Sequence, residues 1–227
     1  MLRMWLLPAV ALTGAWAQPE VSPIPPERRA DAYAVYSAVL ARPDLAHADT
    51  NTKYLVVNVT GMAQEGRPDS CIAPPAAYRG ELAEIMEDYR ALRDKSFRLE
   101  REFSLAKPYE LLTPVEGGSF MDPRRDPPGP ELQQRFSGAT DLITLGNVYF
   151  NRKHTLAAVK TWAWCGTLCG RGAWRVLEKT DGRWEDRNWI HCMVLARGGQ
   201  SGSANATYTA SVPPAGALPP AAAITTY

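Results

Sequence analysis

The sequence predicts an α+β domain, an antiparallel β-meander with one or two helices packed on one face. Three observations predict it. Between Leu142 and Leu195, β-branched and aromatic residues alternate in runs separated by turn signals. Upstream, two segments repeat their apolar residues at helical spacing. The later strands follow one another through short turns, so neighbours in sequence can pair without a long crossover.

The chain opens on MLRMWLLPAVALTGAWAQPE, which has the pattern of a secretory signal peptide over residues 1–17. Arg3 supplies the positive start, Met4 to Leu12 an apolar stretch too short to span a bilayer, and Ala15-Trp16-Ala17 a small-x-small cleavage site. No later apolar run is long enough for a span, so the mature chain is expected to be soluble and exported, periplasmic or extracellular, with no membrane insertion. A formal net charge of +1 argues against nucleic acid or an anionic membrane as partner.

Residues 18–27 are proline-rich and read as an extended lead-in, and residues 28–196 as a single globular domain. From Arg28 to Ala41, Tyr33, Tyr36, Val39 and Leu40 fall on one narrow side of a helix that Pro43 closes. Lys53 to Thr60 reads as a strand and Gly61 to Pro75 as a loop. Ala76 to Arg93 carries the clearest helical pattern, with Tyr78, Leu82, Ile85, Met86, Tyr89 and Leu92 on one side. Glu81, Glu84, Glu87 and Asp88 take the other, where a solvated face explains them more simply than catalysis. Periodicity does not decide between helix and strand for Phe97 to Phe103. Tyr109 to Leu112 is a short apolar piece, and residues 113–130 read as a long Pro/Gly loop.

The meander follows. Leu142 to Phe150 alternates as a strand and ends at the polar turn Asn151-Arg152-Lys153-His154. On the returning strand Leu156, Ala158, Lys160, Trp162 and Trp164 share one side. Gly166, Gly170 and Gly172 permit the next reversal, Ala173 to Lys179 returns, and Asp181-Gly182 signals a tight hairpin before Trp184. A last strand is expected from Trp189 to Leu195. Residues 197–227 carry almost no charge and little bulk, and read as a disordered tail.

Export changes the meaning of Cys71, Cys165, Cys169 and Cys192, since an oxidising compartment favours disulfides over metal or free thiols. Spacing alone leaves all three pairings open. Trp164-Cys165-Gly166-Thr167-Leu168-Cys169 resembles the thioredoxin signature but separates its cysteines by three residues and is followed by glycine turn and strand, with no helix start to stabilise a thiolate. A bridge across the turn is therefore preferred to a redox site. Such a bridge closes a short loop and stabilises near the low end of the roughly 0 to 5 kcal/mol range. If those two pair, Cys71 and Cys192 remain to join the loop before the long helix to the last strand. Zinc, with His191 beside Cys192, lacks the paired short spacings of closed sites, and His47 and His154 have no carboxylate or serine at a recognisable offset. No metal and no cofactor is assigned.

Five of the seven tryptophans lie between Trp162 and Trp189. Trp162 and Trp164 project from one strand face, with Trp174 across from them on the next strand. Such a cluster is either core or, if the face is open, a platform for a small ligand, a glycan or a protein.

Val148-Tyr149-Phe150-Asn151, Thr155 to Val159, Cys165-Gly166 with Cys169-Gly170 and Gly172, and Leu177-Glu178-Lys179 with Gly182 and Trp184 together resemble the C-terminal signature of an uncharacterised family of exported bacterial proteins. The Leu105, Pro108, Tyr109, Leu111 and Leu112 pattern extends the likeness upstream. The resemblance implies an exported domain with no catalytic residue to carry over. The expected sheet resembles the cystatin or nuclear-transport-factor type. The function expected is a non-enzymatic one, with thiol-disulfide exchange at Cys165 and Cys169 as the alternative.

Overall fold

The computed structural model of the protein describes residues 21–42, 45, 51–61, 66–166 and 169–196. The expected signal peptide, the first residues of the lead-in, His47 and the expected tail lie outside the described residues. The domain is α+β, and its sheet is mixed. The order is β2(Tyr109–Leu112), β1(Tyr54–Val57), β3(Leu142–Phe150), β4(Leu156–Gly166), β5(Cys169–Thr180), β6(Arg183–Arg187), with β7(Met193–Ala196) also on β5. The meander holds from β3 to β6, where every pair is antiparallel. It fails at the other end, because β1 runs parallel to both β2 and β3. Each parallel pair is joined through helices, as parallel geometry requires. Tyr109–Leu112 is too short for its periodicity to reveal a partner, so this half of the sheet could not be read from pattern alone.

The helices also depart from expectation, since they cover both faces. α1(Pro26–Leu40) begins on a proline two residues earlier than read from the sequence, and its buried side is wide, including Tyr33, Val35, Tyr36, Val39 and Leu40. It packs with Ile143, Leu145, Ala157, Val159 and Leu177. α2(Arg79–Leu92) packs with Tyr149, Leu156, Ala158, Trp174 and Val176. Successive residues of β4 thus point to different helices, which places α1 and α2 on opposite sides.

The expected loop over residues 113–130 is corrected as well. α3(Pro114–Met121) occupies much of it, and α4(Pro130–Phe136) begins at its end. Thr113 Oγ1 accepts from the Glu116 amide at 3.2 Å, and Glu116 Oε2 accepts from the Thr113 amide at 2.7 Å, a reciprocal cap written in the sequence as Thr113-Pro114-Val115-Glu116. Gly117 lets α3 approach the sheet, since a Cβ there would come within 3.2 Å of the Leu142 side chain. Phe97 to Phe103 is neither a helix nor a full strand: Arg98 makes isolated bridges, Leu99 donates to the Asn58 carbonyl and Arg98 to that of Ser22, and the chain then turns at Glu100 to Glu102.

Only Leu55 and Val56 pair with β3, at Leu142 and Ile143, so the rest of that β3 edge has no strand beside it. Side chains take its backbone groups instead. Tyr36 Oη donates to the Gly146 carbonyl at 2.9 Å, Arg28 Nη2 to the Val148 carbonyl at 2.8 Å, and the Phe150 amide to Asp88 Oδ2 at 2.8 Å. Arg28 and Asp88 meet each other in a two-pronged pair at 2.9 and 2.7 Å. In the same segment β3 bulges between Leu145 and Val148, and Asn147 donates to the Leu92 and Lys95 carbonyls while accepting from Thr60. The bulge therefore caps the C-terminal end of α2.

Two disulfides, Cys71–Cys192 and Cys165–Cys169, bring Cα atoms to 5.2 and 5.0 Å. The first closes a sequence separation of 121 and the second one of 4. In the chain-entropy picture they contribute about 5 and about 2 kcal/mol. Replacing Cys71 and Cys192 by alanine is expected to lower the urea midpoint far more than replacing Cys165 and Cys169; the reverse order would refute this account. Asp88→Ala leaves the Arg28 guanidinium without its carboxylate and should cost about 2 to 3 kcal/mol. Arg152→Ala, which removes only an exposed ion pair with Glu84 and Glu87, should cost under about 0.5 kcal/mol. Equal losses in equilibrium unfolding would show that the edge closure is not what Asp88 supplies.

Candidate functional site

β4 and β5 set the geometry. Cross-strand partners place Lys160 opposite Trp174, Trp162 opposite Gly172, and Trp164 opposite Gly170. All three indoles therefore stand on the α2 side of the sheet, yet they occupy different surroundings. Trp174 is 2% exposed and lies 6.0 Å from the Tyr149 ring and 6.3 Å from that of Tyr89, beneath α2. Trp164 reaches toward α3, where its ring meets Phe120 edge-on at 5.6 Å, and Phe120 meets Phe136 of α4 at 5.0 Å. Trp162 falls between the two helices, opposite Thr144 on β3. Its ring lies over Gly172, where a Cβ would collide with the indole. The glycine is needed for this close approach, since any side chain would lift the ring off the strand.

The result is a strip between α2 and α3 whose half-exposed members are Thr144, Trp162 and Trp164. Lys160 is buried beside it at 5% exposure. The strip offers flat aromatic surface, and chemically it can hold an apolar or planar group by stacking. Gly170 and Gly172, expected in the reversal, lie inside β5, where Gly172 makes room for the Trp162 ring; neither this nor the division of the tryptophans into one buried and two half-buried was legible, because both depend on how remote elements pack.

The cysteines stand elsewhere. The Cys165–Cys169 bridge joins the ends of β4 and β5 at half-exposed positions, next to Gly166 with φ +131°. Cys71 is 3% exposed, and its bridge to Cys192 holds the segment that interrupts the edge between β6 and β7. Around it Ile72 pairs with Ile190, Ala73 donates to the Trp189 carbonyl, and the His191 amide donates to that of Cys71. No cysteine is free, and among the described residues no group of three or more His, Cys, Asp or Glu is placed to hold a metal.

Sequence reasoning missed one constellation. His154 does meet a carboxylate, since its Nδ1 lies 3.1 Å from Asp31 Oδ2, and Lys179 Nζ donates to Asp31 Oδ1 at 2.7 Å. The His154 ring also stacks on Phe150 at 4.5 Å. The partners are 123 residues apart, a separation that no offset rule detects. The cluster fastens α1 to the β3–β4 hairpin and to β5, a positioning role. On the acidic side of α2, Glu84 and Glu87 meet Arg152 at the surface, as a solvated face predicts, while Asp88 departs from it and belongs to the β3 edge.

No protein-family model, curated protein or solved structure matches the chain.

Burial opposes the charge on Asp31, but the hydrogen bonds from Lys179 and His154 outweigh it and hold the carboxyl below its ordinary value. A lowered folded-state pKa contributes stability that is present above the unfolded value of about 3.9 and is lost as pH falls through the folded value. Asp31→Asn should therefore be less stable than the parent at pH 6, with the gap closing as pH falls from about 4 downward. A gap that persists or widens in urea unfolding at the acid end would contradict the assignment.

Proposed function

We propose that the protein is an exported, non-enzymatic binding domain whose ligand lies on the Trp162–Trp164 strip. The observation that carries this reading is the pair of half-buried indoles on one strand face, Trp162 over Gly172 and Trp164 against Phe120, between helices that leave them incompletely covered. Large aromatic surface kept partly in water is costly unless something uses it. Two disulfides favour an oxidising compartment, and among the described residues no helix is long and apolar enough to cross a membrane. The disulfides support export to the periplasm or beyond.

Thiol-disulfide exchange at Cys165 and Cys169 is the second reading, favoured by the half-exposed position of that bridge. Against it, the bridge joins paired strand ends of a β-hairpin, and neither cysteine lies at a helix amino end that could lower a thiol pKa.

In a binding screen of glycans, peptides and apolar probes, Trp162→Ala is expected to weaken the best ligand about tenfold, worth about 1.4 kcal/mol. Trp189→Ala, away from the strip, should leave it unchanged. Retained binding in the Trp162 variant, with an unchanged unfolding midpoint, would remove the first reading. Turnover of a model disulfide by the parent but not by a Cys165→Ser, Cys169→Ser variant would establish the second.

A further inference from the structure

The chain itself supplies a ligand suited to the strip. β7 ends with Ala196 paired to Gly170, and Gly170 is in turn the cross-strand partner of Trp164, so the described chain ends two strands, about 10 Å, from the strand that carries the aromatic rings. From Gly198 to Tyr227 there is no charged side chain, and within it lies Val212-Pro213-Pro214-Ala215-Gly216-Ala217-Leu218-Pro219-Pro220. Between β7 and that stretch the sequence Gly198-Gly199-Gln200-Ser201-Gly202-Ser203 is of flexible-linker composition.

Proline-rich segments hold a polyproline II conformation that needs no internal hydrogen bonds and loses little entropy on docking, and aromatic-lined grooves recognise it. The dimensions agree. Trp162 and Trp164 are two residues apart on one strand, about 7 Å. A Pro-Pro step and its neighbour cover about 6 Å in polyproline II. A random chain as long as residues 197–211 spans about 20 Å, enough to lay either Pro-Pro pair across the rings. An uncharged segment also suits a strip whose half-exposed members are Thr144 and two indoles.

We propose that residues 212–220 are the intramolecular occupant of the Trp162–Trp164 strip, a tethered polyproline ligand, and that external ligands of this face are extended proline-rich peptides that displace it. The proposal rests on the reading of the strip as a binding face.

The test uses the full mature chain and the same chain carrying Pro213→Ala, Pro214→Ala, Pro219→Ala and Pro220→Ala, substitutions beyond β7. Hydroxyl-radical labelling read by mass spectrometry reports Trp162 and Trp164, with buried Trp174 as internal reference. A tether giving an effective concentration of about 1 mM keeps a ligand of about 0.2 mM affinity docked about five-sixths of the time, so labelling of Trp162 and Trp164 should rise about sixfold in the variant. Trp174 should not change, and a synthetic peptide of residues 210–222 should bind the variant and restore protection. Equal, strong labelling of both rings in both chains would overturn the tethered ligand while leaving the strip open for another. Equal protection in both chains would overturn it and the binding reading together, since the rings would then be core. Protection lost on dilution would assign the occupant to a second copy and overturn the intramolecular form.

Discussion

The structure depends on how one strand edge is closed. β1 is short and covers only the beginning of β3, so the carbonyls of Gly146 and Val148 and the amide of Phe150 would otherwise face no strand. An unpaired polar backbone group away from water costs about as much as a lost hydrogen bond. Tyr36, Arg28 and Asp88 satisfy these groups, and in doing so they join helices from opposite sides of the sheet to the same strand. The Arg28–Asp88 pair is thus less a source of net stability than a device that fixes where α1 and α2 sit.

That placement determines the strip. With α2 held against Tyr149 and Trp174, and α3 set by its Thr113–Glu116 cap and by Gly117 against Leu142, the row containing Thr144 and Trp162 is left between them. The far edge of the sheet is managed separately. β6 and β7 follow the same side of β5 with a break between them, and the Cys71–Cys192 bridge fastens the break to the segment that leads into α2. The two disulfides therefore pin opposite kinds of structure: one a long-range junction between layers, the other a single bend.

Much of the architecture was legible in the sequence because local physics dictated it. α1, α2 and the strands from β3 to β6 followed from periodicity and turn chemistry, and Asp181-Gly182 marked its hairpin. α3 was hidden by a preference for reading Pro and Gly as loop, although the capping pattern from Thr113 to Glu116 was present. The parallel pairing of Tyr109–Leu112 with Tyr54–Val57 left no local signal, because a four-residue strand has no periodicity to speak of and its partner is remote.

By itself, the sequence determined the hairpins, the two tryptophans on one strand face, and the four cysteines that an oxidising compartment can bridge. Each is a property of neighbours along the chain. Only the tertiary structure decided that the helices divide between the two faces, that Trp174 is buried while Trp162 and Trp164 are half-exposed, and that Asp31 meets His154. Those outcomes depend on contacts between residues far apart in the chain, whose partners are selected by packing and by the need to satisfy buried polar groups.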